Sequence, residues 1–324
     1  MGFQDIVKIL GGDLEAVEEE MQKHFMIDVE RISEVGKYML LRKGKRIRAI
    51  LLLLSARMFN YSGPRAFILS TAIEFIHAAT LLHDDVLDNS LLRRGYPSVN
   101  MKWGNETSIL VGDFLYAKAM NLVVEDRNWP ILREISHATV EMVKGQVLET
   151  LKLRDLAILE EEYFQIITKK SAYLIATCCY IGAVLGGASP EETSALREFG
   201  LNFGIAFQLV DDVLDFVARE DKLGKPVGSD LKEGKLTLPI IATLKRARLS
   251  EIDVIRAFVN GTRNSPEDFQ QIVGIINLYR MLDYTMAEAR RYIEKAKEPL
   301  EIFNGSDLRH LLIDLSDYIL ERDG

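Results

Sequence analysis

The sequence predicts an all-α protein, and three observations support this prediction. Only 8 of the 324 residues are proline, about half of the usual share of roughly 5%, which leaves room for long helices. Between the prolines, apolar residues recur at helical intervals, as in Ile68, Ala72, Phe75, Ile76 and Ala79. No stretch alternates apolar and polar residues for long, which disfavours strands.

An uncharged segment, residues 171–190, predicts a buried helix in the middle of the chain. Its continuously apolar part, residues 172–185, ends at Gly186 and Gly187. This part is shorter than the roughly 20 residues that cross a bilayer. We therefore expect a core helix here and no membrane span.

Two later helices have clear start signals in the sequence. In each, a serine can cap the first turn, a proline occupies the first helical position and two acids lie near the positive helix end. The two signals are Ser189-Pro190-Glu191-Glu192 and Ser265-Pro266-Glu267-Asp268.

Residues 219–239 interrupt the helical pattern with three glycines, two prolines and four lysines, and they predict a functional loop. No Ser/Gly linker, low-complexity tract or change of composition divides the chain. We therefore expect one domain over residues 1–324.

Charge and cysteine content restrict the possible functions. The formal charge is −8, from 40 Lys plus Arg against 48 Asp plus Glu, and 48% of residues are apolar. This composition excludes disordered, collagen-like and disulfide-stapled proteins and disfavours a nucleic-acid partner. Cys178 and Cys179 are the only cysteines, and residues 1–10 show no secretory signal pattern. We expect a cytoplasmic location.

The pentad Asp-Asp-Val-Leu-Asp occurs twice, at residues 84–88 and 211–215. Since residues i and i+4 share a helix face, Asp84 points the same way as Asp88, and Asp211 the same way as Asp215. A single pentad would be interpreted as a solvated helix face. Both copies, however, emerge from apolar helices, where uncompensated carboxylates repel each other. The repeat therefore predicts a Mg²⁺ site for a phosphate-bearing ligand.

Basic and amide side chains suited to phosphate lie near these pentads in the sequence. Each alone is also explained as an ordinary helix end or loop residue, whereas together they predict a phosphate-binding rim. They are Lys45, Arg46, Arg48, Arg93, Arg94, Lys170, Gln208, Lys225 and Lys235.

With these motifs, the sequence resembles the trans-polyprenyl diphosphate synthases, and it is most similar to the long-chain, octaprenyl type. The resemblance covers nearly the whole chain, through these motifs in order: Gly44 to Arg48, His77, Asp84 to Asp88, Arg93-Arg94-Gly95, Lys170-Ser171, Phe207-Gln208, Asp211 to Asp215, Gly224-Lys225 and Gly234-Lys235 with Thr237-Leu238-Pro239. Departures are small: Lys43 replaces a usual glycine, Ala49 a usual proline and Ser171 a usual threonine.

The resemblance implies a single-domain bundle of long helices around a central cavity, and it implies roles for the motifs. Two or three Mg²⁺ ions would be held by Asp84, Asp88 and Asp211, supported by Asp85, Asp212 and Asp215. The allylic diphosphate would be held by Arg93, Lys170, Gln208 and Lys225, with Lys235 closing the site. Isopentenyl diphosphate would be held by Lys45, Arg48, His77 and Arg94. A homodimer is also implied, with residues 110–124 as a candidate surface.

Product length depends on the side chains that precede the first pentad. A tail whose diphosphate lies at Asp84 would run along earlier turns of the same helix, at roughly 5.4 Å per turn. Ala79 and Thr80 are small there, whereas short-product members of the family carry bulky aromatics. Phe75 and Ile76 are deeper candidates for the floor. We expect a product of about C35 to C50, used for quinone side chains.

Four alternatives remain at this level. A short-chain farnesyl or geranylgeranyl diphosphate synthase shares the motifs. A di-iron oxidoreductase is suggested by two Glu-x-x-His pairs, Glu74 with His77 and Glu134 with His137, but it leaves the pentads unexplained. A non-catalytic subunit would be expected to lose pentad aspartates, and a terpene cyclase normally has a different second metal motif.

Overall fold

A computed structural model describes residues 2–41, 44–217 and 227–322 of the chain. Almost all regular structure in these residues is helical, which confirms the all-α prediction. The α-helices are α1 Phe3–Ile9, α2 Gly11–Phe25, α3 Glu30–Leu40, α4 Ile47–Arg57, α5 Pro64–Leu87, α6 Val99–Trp103, α7 Asn105–Glu125, α8 Trp129–Leu151, α9 Glu160–Ile167, α10 Tyr173–Gly186, α11 Pro190–Val217, α12 Ser229–Glu233, α13 Leu238–Leu244, α14 Leu249–Val259, α15 Pro266–Leu278, α16 Met281–Lys297 and α17 Asp307–Glu321.

Three short elements complete the described fold. A π-helical turn, Thr168–Ala172, joins α9 to α10, and a 3₁₀ helix, Glu298–Phe303, follows α16. The strands β1 Leu92–Arg93 and β2 Tyr96–Pro97 form an antiparallel hairpin directly after the first pentad.

The core is organised around two long helices that end at the two pentads. Helix α5 packs against α7, α4 and α2, and helix α11 packs against α10 and α16. Glycines let α10 and its neighbours approach closely: a Cβ on Gly182 would lie 2.4 Å from the Leu52 carbonyl oxygen, and one on Gly204 would lie 2.7 Å from the Ala172 Cα. The two acid-bearing helix ends are therefore fixed by rigid packing.

The predicted helix starts are confirmed. Helix α11 begins at Pro190, where the Glu192 N–H donates to Ser189 Oγ at 3.2 Å. Helix α15 begins at Pro266, where the Asp268 N–H donates to Ser265 Oγ at 3.1 Å.

The uncharged segment forms helix α10, as predicted, and both cysteines are buried in it. Its last residue precedes Gly187, whose φ of 75° ends the helix in the left-handed region.

The prediction of a loop over residues 219–239 is wrong in part for residues 227–239, and its residues 219–226 lie outside the described part of the chain. Residues 229–233 form α12, and α13 begins at Leu238. The short helix α12 forms because Gly228 and Gly234 bracket it with φ values of 72° and 89°, so two glycines interpreted as loop signals act as helix caps.

Two helices, α5 and α7, have the length and apolar composition of a membrane-crossing helix. In the most apolar part of α5, 61% of residues are buried inside the protein, and in that of α7, 39%. Core helices pass the same test, so the expectation of no membrane span stays a prediction.

Candidate active site

The first pentad lies at the end of α5. Asp84 and Asp85 are in its last turn and Asp88 caps it. Asp84 lies 3.6 Å from Lys170 Nζ, and Asp88 accepts from Lys235 Nζ at 2.7 Å. Asp85 accepts from Arg93 Nε at 3.0 Å. Burial raises the pKa of both Asp84 and Asp85, and the adjacent cations oppose that rise.

The second pentad lies at the end of α11, and its three acids have different surroundings. Asp211 is 41% exposed and forms an ion pair with Arg322. Asp212 is buried and accepts from Tyr163 Oη and from Gln208 Nε2, the latter at 2.8 Å. Burial raises the pKa of Asp212 well above its usual value.

Asp215 is also buried, and it accepts from Ser229 Oγ at 3.1 Å and from the Asp230 N–H at 3.3 Å. Asp211 and Asp215 lie four residues apart on one continuous helix, as expected, but their carboxylates have different partners. Asp215 is engaged by the beginning of α12, whereas Asp211 stays half-exposed toward α17.

Two chains of contacts connect the pentads. In the first, Lys170 reaches Asp84, while the next residue, Ser171, donates to Gln208 Oε1 at 3.0 Å, and Gln208 in turn contacts Asp212. The hydroxyl retained at Ser171 thus has a defined partner. The structure therefore brings two sequence-distant acid groups to one site.

The second chain runs through α12. Lys235 Nζ contacts Asp88, and its own N–H donates to the Asp230 carbonyl at 2.8 Å. The Asp230 N–H closes the chain on Asp215. Lys235 also pairs with Glu233 at 2.8 Å. Burial lowers the Lys235 pKa, but the carboxylates of Glu149, Glu233 and Asp88 outweigh it and raise that pKa strongly, so Lys235 stays charged.

Lys170 is held by the π-helical turn. Its Nζ donates to Glu149 at 2.6 Å, and its neighbour Lys169 pairs with Glu141. Gly145 of α8 allows this approach, because a Cβ there would lie 2.5 Å from the Lys170 backbone nitrogen. The turn directs Lys169 and Lys170 to separate carboxylates on one helix.

Several further cations lie near Glu74, in an earlier turn of α5. Arg46, with a left-handed φ of 53°, pairs with Glu18 at 2.7 Å and with Glu74 at 2.9 Å. Arg94 packs over Gly44, where a Cβ would lie 2.6 Å from its Nη2.

The predicted isopentenyl diphosphate residues lie in this same region. Burial and the positive charge of Arg48 lower the pKa of His77 well below its usual value, so His77 is neutral. The Arg48 side chain has a buried Nε with no hydrogen-bond partner among the described residues. Lys45 Nζ lies 5.8 Å from the ring centre of Tyr318.

An open cleft runs along α5 beside Arg46 and Glu74. Its walls include His77, Arg93 and Arg94 beside apolar side chains of α2, α3 and α6. The cleft therefore has both charged and apolar side chains in its walls, and α5 lies along it.

The residues predicted to control product length differ in burial and in the side chains that they contact. Ala79 and Ile76 are buried, and the half-buried Thr80 donates its hydroxyl proton to the His77 carbonyl at 2.8 Å. Phe75 packs edge-on against Phe25 of α2, with ring centres 5.2 Å apart. Phe75 therefore packs toward α2, which gives it a structural role in the core.

Lys225 lies outside the described residues. Among the described residues, no three His, Cys, Asp or Glu side chains form a preassembled metal cluster. Each pentad carboxylate instead holds a cation or a hydrogen-bond donor. Such a site fits Mg²⁺, which takes one or two carboxylates and completes its shell with water and substrate phosphate.

The di-iron alternative is disfavoured by the ion pairs of its two glutamates. Glu74 accepts from Arg46, and Glu134 accepts from Arg197 Nε at 2.8 Å. Both carboxylates are therefore engaged by guanidinium groups.

Sequence reasoning missed Tyr163, Glu149 and Arg322. Tyr163 and Glu149 lie on α9 and α8, away from any recognised motif, and no local pattern marks them. Arg322 carried no signal either, because its partner Asp211 is 111 residues away in the chain.

Known proteins resemble this chain in sequence. The polyprenyl synthetase family model matches residues 29–276. The chain is 35% identical to the octaprenyl diphosphate synthase of Haemophilus influenzae, over 100% of this chain and 98% of that protein. It is 36% identical to the short chain isoprenyl diphosphate synthase of Methanothermobacter thermautotrophicus, over 99% and 100%.

A solved structure extends the likeness to the fold. The polyprenyl synthase of Caulobacter crescentus, crystallised with calcium and isoprenyl diphosphate, superposes with a TM-score of 0.96 at 34% identity, over 100% of this chain and 98% of that one. The chain therefore belongs to the polyprenyl synthetase family, and it is a prenyltransferase with the all-α fold of that family.

Proposed function

We propose that this protein condenses isopentenyl diphosphate head-to-tail onto an allylic diphosphate, farnesyl or geranylgeranyl, in a Mg²⁺-dependent reaction. The observation that carries this proposal is the double bridge between the pentads, through Lys170 and Gln208 on one side and through Lys235 and Asp230 on the other. It supports a single diphosphate site shared by both acid groups.

The pentad acids and the lysines act on the leaving diphosphate. Breaking the allylic carbon–oxygen bond leaves an allylic cation and adds negative charge to the diphosphate. Two or three Mg²⁺ ions held by Asp84, Asp88 and Asp211, with Asp85, Asp212 and Asp215 in support, would neutralise that charge. Lys170, Lys235 and Arg93 would contact the same diphosphate, with Gln208 and Lys225 beside them.

The cations near Glu74 and His77 suit the second substrate. Lys45, Arg48, Arg94 and the neutral His77 would hold the diphosphate of isopentenyl diphosphate. The isopentenyl double bond attacks the allylic cation, a carbon–carbon bond forms, and one proton passes to the released diphosphate. The apolar walls of α5 exclude water, which would otherwise capture the cation.

We propose a long product, about C35 to C50, for quinone side chains. The support is local: Ala79 and Thr80 are small at the turn of α5 preceding Asp84. The relatives include both octaprenyl and short-chain synthases at similar identity. A farnesyl or geranylgeranyl diphosphate synthase is therefore the alternative to be tested.

We further propose that the chain acts as one cytoplasmic domain over residues 1–324 and as a homodimer. Helices α7 and α8 leave a row of apolar side chains exposed, including Leu110, Val124, Val143 and Val147. Burying such a row against a second copy would remove it from water. Light scattering of the wild type and of Leu110→Glu tests this, because the charged variant should be monomeric.

One experiment tests the central proposal. The protein is incubated with labelled isopentenyl diphosphate, Mg²⁺ and farnesyl or geranylgeranyl diphosphate, and the product length is measured by mass spectrometry. We expect products of 35 to 50 carbons, which Asp84→Asn and a chelator should abolish. Products of 15 to 20 carbons would support the short-chain alternative, and no Mg²⁺-dependent product would overturn the proposal.

A further inference from the structure

Arg322, directly after α17, points into the active site. Its side chain is only 5% exposed, and it forms an ion pair with Asp211, the first acid of the second pentad. It also donates to the Phe207 carbonyl at 3.2 Å, and its guanidinium lies 4.2 Å from the centre of the Phe207 ring. One side chain thus covers the last turns of α11.

The end of α17 is fixed in this position by other contacts. Tyr318, one turn before Arg322, stacks on Phe3 with ring centres 4.7 Å apart. The same ring lies near the Lys45 ammonium, which is 5.8 Å from the Tyr318 ring centre. Tyr318 is four residues before Arg322, and residues i and i+4 share a helix face. The two side chains therefore place the end of α17 beside Lys45, one of the residues proposed to bind isopentenyl diphosphate.

The guanidinium has unused hydrogen-bonding capacity. The Nε atoms of Arg322 and Arg48 are both buried without a partner among the described residues. Arg48 is also near enough to Asp211 for that carboxylate to raise its pKa, against the larger effect of burial. Buried donors normally find acceptors, so two unsatisfied guanidinium nitrogens beside one carboxylate indicate room for a further anion.

We propose that Arg322 is a positioning residue whose guanidinium competes with Mg²⁺ for Oδ1 of Asp211, the oxygen that it contacts. This inference rests on the proposed function. An oxygen that accepts a charge-assisted hydrogen bond presents a lone pair to the donor. Metal binding through that lone pair of Oδ1 therefore requires Arg322 to move away, and the phosphate oxygens of an incoming diphosphate are the acceptors that can receive it.

This exchange couples metal binding at the second pentad to the substrate. Without a diphosphate, moving Arg322 away from Asp211 leaves a buried cation without its partner, which is costly. With a diphosphate present, Arg322 has a new acceptor and the cost is small. The second pentad therefore binds its ion tightly only when substrate is bound.

The test measures Mg²⁺ binding by calorimetry, with and without inorganic pyrophosphate, for the full-length wild type and the variants Arg322→Gln and Arg322→Lys. Arg309→Gln is the matched control, because Arg309 is on α17, the helix that precedes Arg322, and donates to the Leu300 carbonyl at 2.9 Å. With Mg²⁺ alone, we expect Arg322→Gln to bind roughly three- to tenfold more tightly than the wild type, the scale of one ordinary net hydrogen bond, because Asp211 is 41% exposed and solvent screens the ion pair. Arg322→Lys should be intermediate and Arg309→Gln unchanged.

With pyrophosphate present, the difference between Arg322→Gln and the wild type should shrink or reverse. Equal or weaker Mg²⁺ binding by Arg322→Gln without pyrophosphate would overturn the inference, while leaving the proposed synthase intact. So would Arg322→Lys binding like the wild type, because that result indicates only a long-range field effect. If no protein binds Mg²⁺ with pyrophosphate, the magnesium site of the proposed function fails as well.

A second measurement needs no variant. Hydrogen exchange in residues 318–322 of the wild type should accelerate when Mg²⁺ alone is raised to saturation, because the ion releases Arg322 from Asp211. Unchanged or slower exchange in this turn would contradict the inference, even if Arg322→Gln fails to fold.

Discussion

Replacing Tyr163 by phenylalanine removes one hydrogen bond from the most deeply buried acid of the second pentad. Tyr163 and Asp212 are both almost fully buried, and the tyrosine hydroxyl donates to Asp212 Oδ2. In the variant, Gln208 still contacts Oδ1 at 2.8 Å. Asp212 Oδ2 then loses the tyrosine hydroxyl, the donor that takes the place of water in the folded protein.

The expected loss follows from this geometry. Leaving a buried acceptor without its donor costs about 1–3 kcal/mol. With an unfolding entropy of about 2.1 cal/mol/K per residue over 324 residues, the melting temperature should fall by about 1.5–4 °C. Loss of the donor also disfavours the ionised carboxylate, so the Mg²⁺ concentration for half-maximal activity should rise several-fold.

The assay compares calorimetric unfolding and Mg²⁺ dependence of activity in Tyr163→Phe and in Tyr279→Phe. Tyr279 donates to the half-buried Glu251 at 2.7 Å, in a hydrogen bond that involves no pentad residue. The control should lose less stability and keep the Mg²⁺ dependence of the wild type. A Tyr163→Phe protein that unfolds within about 0.5 kcal/mol of the wild type, with an unchanged Mg²⁺ requirement, would refute the reasoning.

Three further predictions concern charge, pH and product length. Lys235→Met leaves Asp88 without its partner at 2.7 Å, so urea unfolding should show a loss of about 2–3 kcal/mol that saturating Mg²⁺ partly restores; an equal loss with and without Mg²⁺ would count against the metal site. The pKa of His77 is well below its usual value of 6.5 in the folded protein, so the unfolded chain binds the extra proton, and stability should fall as pH drops below 6.5 by up to about 1.4 kcal/mol per pH unit. His77→Gln should remove that part of the slope in urea titrations between pH 5 and about pH 7, and an identical slope would disprove it. Ala79→Tyr should shorten the product because a ring would obstruct the tail beside α5, and an unchanged length distribution by mass spectrometry would contradict the tunnel.

Helix α11 shows how much of the fold was predictable from sequence. Its start at Pro190 is encoded by neighbouring residues: a serine cap, a proline and two acids within four positions. Local signals act over one helical turn, so the sequence alone contains them. The short helix α12 was missed because glycine indicates a turn without specifying that it caps a helix.

The pentads could also be predicted, because their repetition on apolar helices is a property of the sequence. The side chains that contact the pentads could not be predicted. Asp85 and Arg93 are eight residues apart, but Asp88 and Lys235 are separated by 147, and Asp212 and Tyr163 by 49. Similar lysines and tyrosines elsewhere carry the same local pattern, so nothing in the sequence selects these particular pairs.

The sequence by itself therefore determined the helical class, the helix starts and the two acid groups that need compensating charge. Only the tertiary structure decided which side chain compensates each acid: Lys170 and Lys235 between the pentads, Tyr163 beneath Asp212, and Arg322 on Asp211. The physical reason is the separation along the chain over which each kind of interaction acts. Capping and periodicity depend on residues within one or two turns, whereas these ion pairs depend on how α5, α11 and α17 pack, which the whole core determines.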